Sequence, residues 1–261
     1  MNLNKSIHFF VLLFIVADNL EAQLSGNPGE IIAIKIEKES SNLSLTIEKD
    51  NKLYQLIPLP FNKQGEYLTI NKKEIYINKK DFGESRITIS DTSKVNLNQK
   101  DLERVNIESQ IINNALNTFS RSFKSELNFI KPVEGLISSR YGKKRFINGT
   151  PRSPHLALDI AAATGTPIVA PDYGKIILVG NFFYSGNFII IDHGYGLLSS
   201  YSHLSKIDIS ENEFVQKGQK IGEVGSTGRV TGPHLHWTIY LNKVRINPEV
   251  IIQENYLDLI L

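Results

Sequence analysis

The pattern of apolar and polar residues from Gln23 to about Asn98 is that of β-strands. Six short segments alternate apolar with polar residues, and clusters of Asn, Gly, Asp and Lys separate them. In chain order they are IIAIKIEK, LSLTIEK, LYQLIPLP, EYLTI, EIYINKK and SRITIS. We therefore predict an amino-terminal β-rich module over residues 23–98, built as a small β-sandwich. It contains no histidine and no clustered carboxylates, so we expect a spacer or docking module rather than a second active site.

The pattern changes between Gln99 and Leu127, where apolar residues recur at steps of three and four. The stripe consists of Ile112, Leu116, Phe119, Phe123 and Leu127. This spacing predicts a helical linker over residues 99–130 that packs one face on a domain. A coiled coil would need at least about three full heptads, which this segment lacks. Lys131 and Pro132 then interrupt the pattern and mark a domain start.

The chain from Pro132 to about Ile252 consists of short strand-like runs with a glycine at almost every turn. Many short strands joined by tight turns are typical of an antiparallel sheet, either barrel-like or a sandwich. We predict a second β domain over residues 131–252 and a short tail over residues 253–261. The predicted fold class is therefore mainly β, with one connecting helix.

The first residues have the order of a secretory signal peptide. A short polar stretch with one lysine precedes an apolar run from Phe9 to Ala17, and polar residues follow. The run is about half the roughly 20 apolar residues that a membrane-spanning helix needs. We predict a signal peptide over residues 1–22, cleaved after Ala22, and a periplasmic or extracellular location without stable membrane insertion. An uncleaved anchor or a buried amino-terminal strand is the alternative interpretation.

Composition narrows the candidate functions. The chain has 29 Lys and Arg against 27 Asp and Glu, a formal net charge of +2, which argues against a nucleic-acid partner. It has no cysteine, which excludes disulfides, thiolate zinc sites and cysteine nucleophiles. Any metal must therefore be held by His, Asp and Glu.

Most of the candidate chemistry lies in the second β domain, which holds five of the six histidines. Successive side chains of a strand point to opposite faces, so His234 and His236 share one face and the apolar residues between them share the other. The same alternation over residues 155–161 places His155 and Asp159 on one face. In the segment 201–204, Tyr201 and His203 point together.

Two imidazoles and one carboxylate match the ligand set of a catalytic zinc site, which uses three protein ligands and keeps the fourth position open. An unliganded imidazole nearby can take up the proton of the attacking water or stabilise an oxyanion. An H-x-H motif or an H-x-x-x-D motif is weak evidence by itself. Their occurrence together in one β domain of a cysteine-free chain is much more specific.

From Pro132 to Ile252 the chain resembles the lysostaphin/LytM-type zinc metallopeptidases, β-rich endopeptidases that cut peptide cross-links of bacterial peptidoglycan. The segments that carry the resemblance are Ser139–Gly142, the His155 and Asp159 pair, Gly165–Pro171, Gly186–Gly194, Tyr201–Leu204, Val215–Gly222, Gly225–Gly228 and Gly232–His236. They occur in the family's order.

The resemblance implies an exported zinc endopeptidase with a LytM-type catalytic domain over residues 131–252. It implies one zinc ion per chain, held by His155, Asp159 and His236, and a catalytic pair formed by His203 and His234. The implied partners are the peptide stems of peptidoglycan.

Three further residues are candidates for lining the substrate site: Arg140, Tyr201 and Asn187. His193 lies in an Asp-His-Gly sequence between strand-like runs, which is typical of a turn, so we interpret it as a turn residue. Two alternative functions stay open. One is a non-catalytic wall-binding regulator that activates a separate amidase, and the other is a zinc peptidase that acts on secreted peptides.

Overall fold

The computed structural model describes residues 24–37, 44–90 and 97–261. The strands of the first part are β1 (Leu24–Gly26), β2 (Ile31–Ile36), β3 (Thr46–Lys49), β4 (Lys52–Pro58), β5 (Tyr67–Ile70), β6 (Lys73–Ile77) and β7 (Glu84–Ile87), with a 3-10 turn at Phe61–Lys63 between β4 and β5. Helix α1 (Gln99–Ala115) follows. The predicted signal peptide, residues 1–22, lies outside the described residues.

The strands after helix α1 are β8 (Leu136–Ser139), β9 (Lys143–Ile147), β10 (Thr150–His155), β11 (Leu158–Ala161), β12 (Pro167–Val169), β13 (Gly174–Phe182), β14 (Gly186–Asp192), β15 (Leu197–Ile207), β16 (Phe214–Val215), β17 (Lys220–Val224), β18 (His234–Leu241) and β19 (Val244–Ile246). Helices α2 (Pro248–Ile251) and α3 (Tyr256–Ile260) end the chain. None of the helices in the described ranges has the length and apolar character needed to cross a membrane.

The carboxy-terminal half is built on one ten-stranded antiparallel sheet. Its main path runs β16-β13-β14-β15-β18-β11-β8, and β12, β17 and β19 pair alongside it. Within the described strands the path does not close on itself, since β16 and β8 are its two ends. The predicted mainly β fold with an antiparallel sheet is confirmed, and the sheet is open rather than a closed barrel.

The amino-terminal strands form two small sheets, in the orders β1-β6-β5 and β2-β4-β3. Ile34 and Ile57 of one sheet pack with Ile75 and Ile77 of the other, as the alternating sequence predicts for a sandwich. Strand β7 belongs to neither of these two sheets. It pairs in parallel with β9, which pairs in turn with β10, so the third small sheet joins the two halves of the chain.

The two halves share one hydrophobic core. Ile31, Leu45 and Leu56 of the amino-terminal strands belong to the same buried cluster as the interior of the large sheet. Main-chain pairing across the boundary adds to this contact, since Asn247 donates its N–H to the carbonyl of Gly29 at 2.8 Å. The residues of the predicted β-rich module are therefore packed on the second domain rather than linked to it by a flexible spacer.

The predicted helix over residues 99–130 is wrong after Ala115, where α1 ends. Beyond it the chain runs extended over the large sheet, and the N–H groups of Ser125 and Ile130 donate to carbonyls of that domain. Phe119 and Phe123, which are four residues apart in the chain, contact different residues of the sheet domain. Phe119 packs against Tyr195 and Phe123 against Tyr173, and the ring centroids of each pair are 6.0 Å apart. Tertiary contacts, rather than one helical stripe, bury these apolar residues.

The predicted tail, residues 253–261, is a packed element. It contains helix α3, whose first residue, Tyr256, is buried. Leu257 and Ile260 of that helix pack against the shared core. The segment is too short for its periodicity to be distinctive in the sequence, and it becomes ordered through apolar contact.

Candidate active site

Asp159 and His236 meet because their strands pair. The register of β11 and β18 places them directly opposite each other, and Asp159 Oδ1 lies 2.7 Å from His236 Nδ1. The predicted alternation of β18 is confirmed. Leu235 and Trp237 are fully buried in the core, while His234 and His236 face a groove of about 570 Å³.

His155 reaches the same place from a different sheet. The expectation of one continuous strand over residues 155–161 is wrong: β10 ends at His155 and pairs with β9, whereas β11 begins at Leu158 and pairs with β8 and β18. His155 and Asp159 nevertheless meet, with His155 Nε2 at 3.0 Å from Asp159 Oδ1. The change of sheet between the two strands, rather than alternation along one strand, brings these side chains together.

A backbone carbonyl orients the ring of His155. Its Nδ1 lies 3.1 Å from the carbonyl oxygen of Arg140 and 3.2 Å from the hydroxyl of Ser139. Because a carbonyl oxygen only accepts, Nδ1 carries the proton and Nε2 presents its lone pair to Asp159 and His236. A hydrogen bond of this kind behind a ligand is the usual support of a metal-binding histidine.

Three donor atoms form a set that fits a metal ion. His155 Nε2, Asp159 Oδ1 and His236 Nδ1 are separated by 2.7, 3.0 and 3.3 Å. Zinc binds such atoms tetrahedrally at about 2.0–2.2 Å, which separates neighbouring ligand atoms by about 3.3–3.5 Å. Two imidazole nitrogens, one carboxylate oxygen and an open groove therefore suit zinc, with room for a fourth ligand.

The charges of this cluster favour an ionised carboxylate. Burial by itself would raise the pKa of Asp159, but the neighbouring imidazoles of His236 and His155 hold that pKa well below its usual value. Desolvation lowers the pKa of His236 to about 4, against the pull of Asp159. A carboxylate beside neutral imidazoles is the protonation state in which all three groups can bind a cation.

His203 faces the groove because of a bulge in β15. The pairing of β15 with β14 shifts register here, since Asn187 pairs with Leu204 and Ile189 with Tyr201. Strand β15 therefore has one extra residue at this point. His203 takes a left-handed backbone conformation with φ of 71°. The bulge lets both Ser202 and His203 line the groove, although simple alternation would send one of them to the core.

His203 and His234 lie next to each other at the groove, with ring centroids 4.9 Å apart. Each ring Nδ1 lies 2.9 Å from a backbone carbonyl, that of Thr227 for His203 and that of Gly232 for His234. Both rings therefore carry the proton on Nδ1 and have Nε2 as the unprotonated nitrogen. His234 Nε2 is 3.9 Å from Asp159 Oδ1, farther than the three clustered donor atoms are from one another.

The prediction that Tyr201 lines the substrate site is wrong. Its side chain is fully buried in the core, and its hydroxyl lies 2.8 Å from that of Ser199. Tyr201 precedes the bulge, so it keeps the core-facing side of β15 while His203 departs from it. The expectation that the two side chains point together fails for the same reason.

Arg140 and Asn187 also do not line the groove. The guanidinium of Arg140 pairs with Glu249, and only the carbonyl of this residue touches the site, through His155. Asn187 donates to the carbonyl of Leu204 at 3.0 Å, and its N–H donates to the hydroxyl of Thr227. Arg140, through its carbonyl, and Asn187, through its amide, thus contact the framework around the site.

His193 lies away from the groove, as its interpretation as a turn residue requires. It follows β14, and its N–H donates to the carbonyl of Leu197 across the turn. Its ring is completely buried, with Nδ1 at 2.8 Å from the carbonyl of Tyr173 and Nε2 at 2.7 Å from the hydroxyl of Ser199. Burial lowers the pKa of this imidazole.

The groove has lining residues that the sequence patterns do not reveal. Strand β7 contributes Ser85 and Ile87, although its sequence shows no functional motif. Arg145 and Arg229 also line the groove, at positions 84 residues apart in the chain. Only the pairing of β7 with β9 and the course of the loop before β18 bring these residues to one site.

Comparison with known proteins agrees with this geometry. The sequence model of Peptidase family M23 matches residues 153–248, which include all five groove-facing acid and imidazole groups. The crystal structure of a Pseudomonas aeruginosa protein assigned to peptidase M23 superposes with a TM-score of 0.68 at 30% sequence identity. That match covers 86% of this chain and 94% of the other.

Two curated relatives each match less than half of this chain. The peptidoglycan DD-endopeptidase ShyA of Vibrio cholerae is 39% identical over 112 residues, which are 42% of this chain and 26% of that protein. The DD-carboxypeptidase/endopeptidase Mpg of Neisseria meningitidis is 43% identical over 94 residues, 36% of this chain and 22% of that protein. The matched region thus spans about a quarter of the length of these relatives.

Proposed function

The chain belongs to peptidase family M23, and from this premise we propose that it is an exported zinc endopeptidase that hydrolyses peptide cross-links of bacterial peptidoglycan. Several relatives are peptidoglycan endopeptidases, which supports peptidoglycan as the substrate and the cell envelope as the location. The proposed site consists of His155, Asp159 and His236 as zinc ligands, with His203 and His234 as the catalytic pair.

One observation carries the proposal. Three donor atoms converge to within 3.3 Å at the floor of a groove, and two further imidazoles face the same space. A regulator that only binds the wall would need neither the ligand triad nor the pair of rings. Zinc in such a site supplies a Lewis acid that polarises a carbonyl and makes water acidic enough to attack near neutral pH.

The side chains of this chain provide the remaining steps. Burial lowers the pKa of His203 to about 3, so the ring is neutral near pH 7 and its Nε2 can accept a hydrogen bond. His234 presents Nε2 toward Asp159, from where it can take up the proton of the attacking water. A protonated ring of the pair can then stabilise the negative oxygen of the tetrahedral transition state or protonate the leaving amine.

The test is muropeptide release from purified peptidoglycan sacculi, with and without a chelator, with metal content measured on the same sample. We expect about one zinc per chain and a loss of cross-linked dimers that the chelator prevents. Product masses identify the bond that is cut. Sacculi that stay intact despite a full complement of zinc would favour a peptidase of secreted peptides, and a metal-free, inactive protein that binds sacculi would favour the regulator.

A further inference from the structure

Three hydroxyl groups lie in a row along the floor of the groove. Ser200 and Ser202 belong to β15 and Thr238 belongs to β18, and all three residues line the groove. Ser202 is paired with His236 across the two strands. The next pair on the same face is Ser200 with Thr238. Paired side chains point to the same face of a sheet, so the row begins beside the proposed zinc ligand His236 and leads away from it.

These side chains are buried and have no partner within the protein. Ser200, Ser202 and Thr238 are 2%, 4% and 3% exposed. No hydrogen bond joins any of their hydroxyls to another group of the described residues. Buried polar groups are nearly always hydrogen-bonded, because an unpaired one loses its contacts with water without replacement. Three such hydroxyls side by side at the floor of an open groove indicate a ligand-binding surface.

The other buried Ser, Thr, Asp and His side chains of the described ranges do have partners. On the core face of the same strand, the hydroxyl of Ser199 lies 2.7 Å from Nε2 of His193 and 2.8 Å from the hydroxyl of Tyr201. In the segment after α1, Ser125 donates to Asp172 at 2.5 Å. Among the buried serines and threonines that the structure describes, an unpaired hydroxyl thus occurs only on the groove face.

The spacing of the row matches that of an extended peptide. Residues two apart on a strand are separated by about 6.8 Å, which is the spacing of Ser200 and Ser202 along the groove. An extended peptide repeats the main-chain groups of one edge at the same distance, because it has the geometry of a strand. A hydroxyl can donate to a carbonyl and accept from an N–H. Each position of the row can therefore pair with either kind of main-chain group.

The groove faces of β15 and β18 carry no charged group beyond His236. After Ser200 and Thr238, the next pair along the two strands is Leu198 with Tyr240, and both belong to a buried apolar cluster. A carboxylate or an ammonium group bound here would lose its water without gaining an opposite charge. Neutral hydroxyls between a metal site and an apolar cluster therefore suit the uncharged amide groups of a peptide main chain.

We propose that Ser200, Ser202 and Thr238 form a subsite that binds main-chain amide groups of the substrate peptide on one side of the scissile bond. The proposal rests on the peptidase function proposed above and deepens it by assigning the residues that hold the peptide along the groove. Because the row adjoins His236, an extended peptide bound to it continues over the three clustered donor atoms. The subsite recognises the extended form of the peptide and no particular side chain.

The first test compares Ser200→Ala with Ser199→Ala, the same change at adjacent positions on opposite faces of β15. Hydrolysis of cross-linked dimers from purified sacculi and urea unfolding are measured on the full mature protein loaded with zinc. Ser200→Ala should raise KM about 3–10-fold, the value of one neutral hydrogen bond, and leave kcat within about twofold. Its urea midpoint should not fall, because no hydrogen bond within the protein is lost. Ser199→Ala should lower the midpoint and leave KM unchanged.

Thr238 allows a second test in which shape is matched. Thr238→Val replaces the hydroxyl by a methyl group and keeps the branched side chain, so KM should rise about 3–10-fold without a lower urea midpoint. Thr238→Ser keeps the hydroxyl and should recover most of the wild-type KM. A role in packing alone predicts the reverse order, because Val fills the space of Thr and Ser leaves a gap.

Two results would overturn the subsite. One is an unchanged KM in both Ser200→Ala and Thr238→Val, and the other is a Thr238→Ser protein whose KM rises as much as that of Thr238→Val. If wild type hydrolyses no dimer, the proposed peptidase function fails, and calorimetric binding of the same dimers decides the subsite. Weaker binding by Thr238→Val than by wild type and Thr238→Ser then supports it. Equal binding by the three proteins, or no binding by wild type, overturns it.

Discussion

At the scale of single residues, backbone carbonyls orient three of the histidine rings. Carbonyls of Arg140, Thr227 and Gly232 each accept from a ring Nδ1, of His155, His203 and His234 respectively. Each of these rings thereby has Nε2 as its basic nitrogen. His236 differs, because its Nδ1 is the atom that faces Asp159. Backbone carbonyls thus fix the ring orientation of these three histidines, and strand pairing with Asp159 fixes that of His236.

The proposed roles predict different phenotypes for the two histidines of the H-x-H motif. His236→Ala removes a donor atom from the triad, so zinc and activity should be lost together. His234→Ala leaves the triad complete, so most of the zinc should remain while kcat falls at least about 100-fold, as expected for a general acid or base. Metal analysis and dimer hydrolysis on the same samples check both. Full activity of His234→Ala would refute the assigned roles.

His193 predicts a pH dependence of stability. Burial lowers its pKa in the folded chain, whereas the unfolded chain binds a proton near pH 6.5. The unfolded state therefore holds more protons below that pH, and the free energy of unfolding should fall as pH falls, by up to about 1.4 kcal/mol per unit from this group. Urea unfolding of chelator-treated protein between pH 5 and 7.5, all in ordinary buffers, measures the slope. His193→Gln should show a shallower slope, and an unchanged slope contradicts the prediction.

The buried position of Tyr201 predicts an effect on stability alone. Tyr201→Phe removes the hydroxyl that contacts Ser199 and keeps the ring in the core. We expect the free energy of unfolding to drop by about 1 kcal/mol, the net value of such a hydrogen bond, with kcat/KM on dimers unchanged. A fall in kcat/KM without loss of stability would restore the substrate-lining role that the sequence suggested.

At the scale of elements, irregular backbone places the site. The bulge in β15 turns His203 to the groove, and the break between β10 and β11 brings His155 to Asp159 from another sheet. The extended segment after α1 is a third case. Ser125 in that segment is buried, and its hydroxyl donates to Asp172 at 2.5 Å, which fastens the segment to the large sheet.

Close packing of that segment predicts a strong effect of Gly194→Ala. Gly194 has φ of 89°, and a Cβ there would lie 2.2 Å from the carbonyl oxygen of Phe123. Backbone strain and the displaced segment together should cost about 2–4 kcal/mol of unfolding free energy. Gly218→Ala is the matched control, with φ of 81° and nothing within 4 Å, and should cost about 1 kcal/mol. Equal losses in urea unfolding would mean that the contact with Phe123 is unimportant.

At the scale of the whole molecule, the amino-terminal strands and the large sheet form one core and one groove wall. Leu56 of β4 belongs to the cluster that contains Trp237, the single tryptophan of the chain. β7 pairs with β9 and lines the groove. The amino-terminal part therefore shapes the candidate substrate site as well as the core.

The shared core predicts a single unfolding transition. Leu56→Ala should cost about 2–5 kcal/mol, the usual range for a buried leucine, and should shift the fluorescence transition of Trp237 and the circular dichroism transition equally. Leu102→Ala, at a leucine of α1 that is 44% exposed, is the control and should change little. A fluorescence transition that stays in place in Leu56→Ala would show that the two parts unfold separately.

The amino-acid pattern by itself determined the local features of this protein: the six amino-terminal strand segments, the core and groove faces of β18, and the family, which the comparisons confirm. These depend on alternation and on short motifs, which act between neighbouring residues. The tertiary structure alone decided the end of α1, the burial of Tyr201 and the convergence of Arg145 with Arg229. Those features depend on strand register, bulges and contacts between segments distant in the chain, and no local pattern specifies them.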